Sequence, residues 1–389
     1  MPRRCAILKS VGVTVNPVFP CSKGSCEKTA RYLPERPVPF VYAKLDAKSG
    51  QRSLHRIPEN LRMKTPENQL IQKILGKSSR SNDLKSGLRV GIGDDAALFA
   101  PRSGYETILT CDWFLEEIHF LRDRHPADSV GWKCLARAAS DIAAMGGTPR
   151  CFLLSLAIPN ELTGRWLTDF LIGLRRASRR LQCPIAGGDT TRQNRVLINV
   201  TVIGDVRRGQ ALLRSSAKPG DIIYISGRLG EADLGLSALR SARARIRPCL
   251  RKHLYPEPRI ALGQWLADHR LATAAMDLSD GLSTDLPRLC ASSKVGATID
   301  ESKLALATVG RDSVPNRNKR LALALNGGDD YELLFTVAPN KTQKIPLAYR
   351  ALKLTAIGEI TRGTGIKLSH PDGKTSPLKA AGWDPFRDP

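Results

Sequence analysis

Short apolar runs, each ending in small residues and a carboxylate, recur along most of this chain. Leu88–Ile92, Thr107–Thr110, Cys151–Ala157 and Val196–Ile203 are short and bounded by turn residues, which predicts strands. Between them, apolar positions recur at helical spacing. Asn68–Leu75 predicts a short helix. A longer one starts at Ser129, places Trp132, Leu135 and Ala136 on one face, and runs to Met145. Gly146-Gly147-Thr148-Pro149 stops it. Another opens at Pro159-Asn160-Glu161 and runs to Leu181, with Trp166, Phe170, Leu174 and Ala177 as its apolar stripe. Ile185 then leads into an expected turn at Gly187-Gly188-Asp189.

The pattern restarts after a boundary near Gly204 to Gln210. Ile222–Ser226 reads as a strand, followed by a helix after Gly230, a basic loop at 240–252 and a helix over Arg259–Asp268. Ala274–Met276 is a strand, Gly281–Ala291 a helix and Leu333–Val337 a strand. Strands alternating with helices in both halves predict an α/β (α+β) fold of two domains, 63–206 and 207–389, each a mixed sheet with helices. Residues 1–62 are rich in Pro, Lys, Arg and Ser without sustained periodicity. They are expected to be a disordered or spurious extension, with Met63 as an alternative start.

Charge enlarges the set of possible partners. The chain carries +23, of which residues 1–62 hold 12 Lys/Arg against 4 Asp/Glu. A nucleic acid or a polyanionic small molecule would suit that balance. Arg175, Arg176, Arg179 and Arg180 lie opposite the apolar stripe of their helix and lack interleaved aromatics, so a solvated face explains them better than base stacking does. Nucleic acid is therefore disfavoured, and no apolar run is long enough for a membrane span. Nine scattered cysteines without a CxxC pair fit reduced, buried thiols and a cytoplasmic protein.

The candidate chemistry lies in the acidic stations. Gly91-Ile92-Gly93-Asp94-Asp95 is followed by Thr110-Cys111-Asp112, Ser140-Asp141, Gly187-Gly188-Asp189, Asp277-Leu278-Ser279-Asp280-Gly281 and Gly327-Gly328-Asp329-Asp330. One such station is an ordinary turn. Six ending on carboxylates point to hard cations, with Mg²⁺ favoured, since oxygen ligands dominate and no His/Cys set competes.

Together with His119-Phe120, Ser140-Asp141-Ile142-Ala143-Ala144-Met145-Gly146-Gly147, Thr190-Thr191, Arg214-Ser215-Ser216-Ala217-Lys218-Pro219-Gly220-Asp221, Tyr331-Glu332-Leu333 and Gly382-Trp383, these stations resemble the thiamine-monophosphate kinases of the aminoimidazole-ribotide-synthetase-like superfamily. The match runs over roughly 68 to 386 in the family's order. The resemblance implies transfer of the γ-phosphoryl group of ATP to thiamine monophosphate, directly and in line, assisted by several Mg²⁺ ions and without a general base. It implies metal ligands at Asp95, Thr110, Asp112, Asp141, Asp189, Asp277 and Asp280. It places ATP against Gly188, Asp189, Arg214 and Ser279, and thiamine monophosphate against His119, Asp329 and Trp383. It also implies a homodimer in which N-terminal domains pair into a shared β-barrel built from the four N-terminal strands named above.

Each residue also has a plainer reading: Ser279 and Thr110 as turn residues, His119 as a partly buried histidine, Trp383 as tail packing and Arg214 as a surface ion pair. Three positions depart from the family: Cys111 where Ser or Thr is usual, Asp329 where Glu is usual, and Leu171 where some members have a nucleotide-contacting Tyr. The rival readings are another ATP-using member of the superfamily and, from a different class, a basic nucleic-acid-binding protein. The hydrogenase-maturation members need a C-terminal cysteine, whereas this chain ends Phe386-Arg387-Asp388-Pro389. Selenophosphate synthetases need a reactive N-terminal residue in a Gly-rich segment, which is not seen here.

Overall fold

The computed structural model describes residues 41–45, 52–56, 67–75, 87–92, 96–241, 247–307 and 316–386. The chain divides into two units, Met1–Asn60 and Leu61–Pro389. In the first, β1 (Val41–Leu45) pairs antiparallel with β2 (Arg52–Arg56). The sequence pattern predicted no element there, because five-residue alternations are hard to distinguish among prolines and charges.

The second unit opens with α1 (Glu67–Leu75), β3 (Leu88–Val90) and β4 (Leu98–Phe99). Next come β5 (Tyr105–Leu115), α2 (Ala127–Ala144), β6 (Thr148–Ile158), α3 (Arg165–Leu181), β7 (Ile185–Arg192) and β8 (Leu197–Arg207). Strands β5, β8, β6 and β7 form one sheet in that order, antiparallel except for the β6–β7 pair. Helix α3 is the crossover that a parallel pair requires. Ile198, Val200 and Val202 of β8, with Phe152, Leu154 and Leu156 of β6, are buried in one core with Leu135, Ile142, Leu167 and Phe170 of the two helices.

The chain continues through β9 (Ile222–Ser226), α4 (Glu231–Ser241), α5 (Arg247–Leu254), α6 (Ile260–Asp268), β10 (Ala272–Leu278), α7 (Leu282–Ser293) and β11 (Gly296–Asp300). It closes with α8 (Arg317–Asn326), β12 (Glu332–Val337), β13 (Ala348–Tyr349), β14 (Leu352–Thr361), β15 (Ile366–Ser369) and β16 (Thr375–Pro377). The second sheet runs β10-β12-β9-β14-β11-β15-β16, with β13 on β14. Helix α2 packs against α3, β5 and β8 on one side and against α6 and β10 on the other, so it belongs to both halves.

Several expectations need correction. Leu88–Val90 pairs with Leu98–Phe99 in a separate two-stranded sheet and does not join the four-stranded one. Gly187-Gly188-Asp189 is not a turn: it lies inside β7, opposite Leu153-Leu154-Ser155. The basic loop contains α5, whose Cys249 and Leu254 are buried. The first turn after Pro159 is a separate 3-10 turn, Asn160–Leu162. Strand β5 extends to Leu115, well beyond the four residues predicted from apolar character, because polar Thr110 and Asp112 fill inward positions.

The arginine-rich face is solvated at Arg176, Arg179 and Arg180, and Arg175 is half-buried. Arg175 donates to the carbonyls of Lys73 and Ile74 at the end of α1. Arg176 pairs with Asp128 at 3.2 Å and covers the Tyr255 ring at 4.8 Å. The described cysteines 111, 134, 151, 183, 249 and 290 are free thiols, and all but Cys111 are buried. No helix among the described residues is long and apolar enough to cross a membrane.

The α2–α3 crossing depends on two glycines. A Cβ at Gly131 would stand 2.0 Å from the Phe170 carbonyl oxygen, and one at Gly173 would stand 1.7 Å from that of Asp128. Both obstacles are backbone, so the helices would have to separate. Gly173→Ala is expected to destabilise by about 2–3 kcal/mol through overpacking. The check is the urea midpoint; a change under about 0.5 kcal/mol, the scatter of neutral surface substitutions, would show that the helices do not cross this closely.

Candidate active site

Helix α2 positions the site. Lys133, Arg137 and Asp141 recur every four residues and so form one stripe along the helix. Strand β5 runs beside it and turns Ile108, Thr110, Asp112 and Phe114 to one face by strand alternation. The two stripes meet: Thr110 donates its hydroxyl to Asp141, and Arg137 lies 3.6 Å from Asp112.

Asp277 lies near the end of β10, only 4% exposed. Burial, and then the Asp141 carboxylate, push its carboxyl up to about 8. Burial also raises Asp141, offset in part by the Thr110 hydroxyl, while Asp112 adds a further like charge. Arg214, on the 3-10 turn Arg214–Ser216, acts on both acids and lines a cavity of about 400 Å³ with Thr110 and Asp141. Crowded buried carboxylates of this kind are relieved by a divalent cation. The oxygen donors of Asp141, Asp277, Asp112 and Thr110 have the chemistry that a hard cation such as Mg²⁺ takes. Among the described residues, no three His, Cys, Asp or Glu side chains converge closely enough to hold an ion unaided. Mg²⁺ commonly completes its shell with water and substrate phosphate.

Two residues beyond Asp277 the chain enters a second cavity of about 350 Å³, which brings together Ser279, Asp280, His119, Asp329 and Trp383 with Arg137, Asp233, Arg240, His253 and Tyr331. Asp285 accepts from the backbone N–H groups of Ser279 and Asp280 at 3.1 and 2.9 Å, which shapes the segment, and Arg288 pairs with Asp280. The Trp383 N–H donates to the Asp280 carbonyl at 2.9 Å, and a Cβ on Gly382 would stand 2.0 Å from that same oxygen. The C-terminal segment is thereby laid against the cavity.

His119 accepts the Leu115 N–H on Nδ1 at 3.0 Å. Burial and Arg137 lower its pKa to about 4, so the ring is neutral and carries its proton on Nε2, as a donor.

Adjacent Asp329 and Asp330 serve opposite ends. Asp329 adopts a left-handed backbone, φ 66°, and faces the cavity. Asp330 turns inward and accepts from the N–H groups of Gly230 and Ala232 at 2.6 and 3.1 Å, capping α4.

Gly188 and Asp189 line a third cavity, of about 750 Å³, together with Gly91, Ile92 and Thr190. It shares no lining residue with the other two. Gly188 allows β7 to lie against β6: its φ is 149°, and a Cβ would stand 1.8 Å from the Leu154 carbonyl oxygen. Asp95 falls outside the described residues. Leu171 is buried at 2% exposure in the core, away from all three cavities. Cys111 is exposed and donates its thiol to Asn199.

The sequence reading missed Lys133, Arg137, Tyr331 and Asp233. The signal for the first two was present: cations inside an otherwise apolar helix, four residues apart and four before Asp141.

Asp277→Asn removes a carboxyl whose ionisation the folded state opposes through burial and Asp141, so it is expected to raise the melting temperature in metal-free buffer at neutral pH. The gain that Mg²⁺ gives the parent protein should shrink at the same time. Thermal melts with EDTA and with millimolar Mg²⁺ test this. An Asn variant that melts lower in EDTA, or that gains as much from Mg²⁺, would contradict the arrangement. Asp280, paired with Arg288, is expected to give no such gain.

The chain matches the family models for the AIR synthase related protein N-terminal domain over residues 93–206 and C-terminal domain over 218–371. It is 34% identical over 312 residues to the thiamine-monophosphate kinase of Bacillus subtilis, covering 78% of this chain and 95% of that protein. It superposes on the crystal structure of thiamine-monophosphate kinase from Stenotrophomonas maltophilia with a TM-score of 0.66 at 34% identity, over 79% and 96% of the two chains. It superposes on AaThiL complexed with AMPPCP and TMP with a TM-score of 0.63 at 31% identity, over 82% and 97%.

Proposed function

The chain belongs to the AIR-synthase-related family and, within it, to the thiamine-monophosphate kinases, and from that premise we propose a mechanism of direct, Mg²⁺-assisted, in-line transfer from ATP to thiamine monophosphate. The product is thiamine diphosphate. The observation that carries this reading is the segment Asp277–Asp280. Its first residue sits in the crowded carboxylate pair, and its last lines the cavity of His119, Asp329 and Trp383. One stretch of four residues thus joins a cation-demanding site to a pocket with an aromatic wall.

Both reactants are polyanions, so the protein's task is positioning and charge compensation. Mg²⁺, when bound, would offset the phosphate charge. Asp112, Asp141, Asp277 and Thr110 would hold it, with Asp95, Asp189 and Asp280 as further ligands. Arg214 offers a guanidinium fork to phosphate oxygens. Ser279 would contact the nucleotide, and Gly188 lets the chain pass close to its phosphates. His119 donates from Nε2, Asp329 accepts, and Trp383 covers a flat heterocycle. No side chain is assigned as a general base, because the attacking phosphate oxygen is already ionised. A cytoplasmic location and a division into domains 63–206 and 207–389 are part of the same reading. The two family matches, which end at 206 and resume at 218, support that division. The nucleic-acid alternative loses ground because Arg175 and Arg176 are used internally.

Purified protein given ATP, Mg²⁺ and thiamine monophosphate is expected to form thiamine diphosphate and ADP in equal amounts. Asp280→Asn should lower turnover by roughly a hundredfold, the scale of losing one preorganised electrostatic contact. Arg179→Ala should leave it unchanged. Normal turnover in the Asn variant together with failure of the arginine variant would defeat the kinase mechanism.

A homodimer completes the proposal. The outward face of β5 leaves Leu109 70% and Trp113 55% exposed beside Cys111, an apolar strip on an edge strand. Such strips are usually covered, and a two-fold axis lets one strip cover its copy. Sedimentation at micromolar concentration should show a dimer, and Trp113→Glu should shift it towards monomer. A monomeric parent protein would rule this out.

A further inference from the structure

Behind the cavity wall lies a chain of buried ionisable groups that the proposed transfer does not use. Lys133 of α2 is 1% exposed and does not line the cavity. Its Nζ donates to Asp329 Oδ2 at 2.8 Å and lies 3.4 Å from His253 Nδ1. His253 Nε2 is 3.0 Å from His125 Nε2, and His125 Nδ1 is 3.1 Å from the Leu121 carbonyl. On the other side, the Tyr331 hydroxyl donates to Asp329 Oδ1 at 2.8 Å.

An ammonium only donates, so His253 accepts on Nδ1 and turns its Nε2 to His125 Nε2. His125 Nδ1 lies 3.1 Å from both the N–H and the carbonyl of Leu121. Both rings are neutral: burial, and then Lys133, lower His125 to about 4 and His253 well below its ordinary value. Burial favours the neutral form of Lys133 as well, but the Asp329 charge opposes that. Burial would raise Asp329, yet the Lys133 ammonium and its neighbours hold it well below the usual carboxylate range. The 2.8 Å contact between Nζ and Oδ2 makes the two an ion pair.

We propose that Lys133 is a positioning residue for the reaction: from behind the pocket it holds Asp329 ionised and aimed at the bound thiamine moiety. The proposal rests on the reading of Asp329 as a substrate contact. Each Asp329 oxygen has one internal donor, so the carboxylate cannot rotate freely. Its remaining acceptor capacity and its charge face the cavity shared with His119 and Trp383. That suits a positively charged heterocycle better than a loosely held acid would. His253 lines the same cavity and lies against the ammonium, while Lys133 itself is buried. The left-handed backbone at Asp329 and Tyr331, φ 66° and 49°, brings both side chains to the same pair.

The test compares Lys133→Met, Asp329→Asn and the double variant by steady-state kinetics, with calorimetric binding of thiamine monophosphate alongside. Lys133→Met should raise KM for thiamine monophosphate by about tenfold or more while KM for ATP stays within about twofold, the signature of lost substrate binding. Breaking a buried pair on one side can unfold a protein, whereas neutralising both partners avoids a lone charge. The double variant is therefore the safeguard. If Lys133 acts only through Asp329, its KM should equal that of Asp329→Asn alone. A double variant clearly worse than Asp329→Asn, one restored to parental KM, or a Lys133→Met variant with both KM values raised equally would overturn the proposal. Calorimetry separates the two readings. A parent protein that binds thiamine monophosphate without turning it over sinks the reaction reading but still tests Lys133; one that does not bind it sinks both.

Discussion

The structure depends on one constraint: α2 is buried between two sheets yet carries Lys133, Arg137 and Asp141 on a single stripe. Charge cannot be left unmatched in that setting without a cost of several kcal/mol. Each group is answered from a different part of the chain: Lys133 by Asp329, Arg137 by Asp112, and Asp141 by Thr110. Those contacts join residues from 110 to 329 in one unit. The helix that holds the halves together is thus also the helix that places the chemistry.

Matching is complete at one end of the stripe and incomplete at the other. Lys133 and Asp329 neutralise each other, and the groups beyond them are uncharged imidazoles. Asp141 faces Asp277, another acid, with Arg214 as partial relief. A protein that needed only stability would not retain the second arrangement. An excess of buried negative charge beside a cavity is what a cation-dependent phosphate site requires before its ligands arrive. The same logic sorts Asp330 from Asp329. Asp330 accepts from the helix N-terminus and belongs to the fold, whereas Asp329 turns to the pocket.

Much of this was legible locally. Short apolar runs located β6, β8, β9, β10 and β12, and helical spacing located α2, α3, α6 and α7, because both are properties of neighbouring residues. The acidic stations were visible for the same reason, since small residues and carboxylates at strand ends are a short-range pattern. Strand β5 was cut short after Thr110 because Cys111 and Asp112 interrupt its apolar run, and Asp112 meets its partner Arg137 only in the folded chain. The Gly187-Gly188 pair was read as a turn because glycine favours turns, but here it answers a close strand approach that only pairing with Leu154 creates.

The order of motifs along the chain therefore carried the resemblance to the family, periodicity carried the mixed α/β character, and the acidic stations supplied the candidate site residues. They could not say which acid meets which base. That Lys133 lies against Asp329, that Asp141 crowds Asp277, and that the Gly188 cavity shares no lining with the Asp280 cavity are facts of folding over separations of up to 196 residues. Pairings at that range depend on how the two sheets enclose α2. Local patterns carry no record of it, because a residue's period and turn preference do not depend on what packs against it.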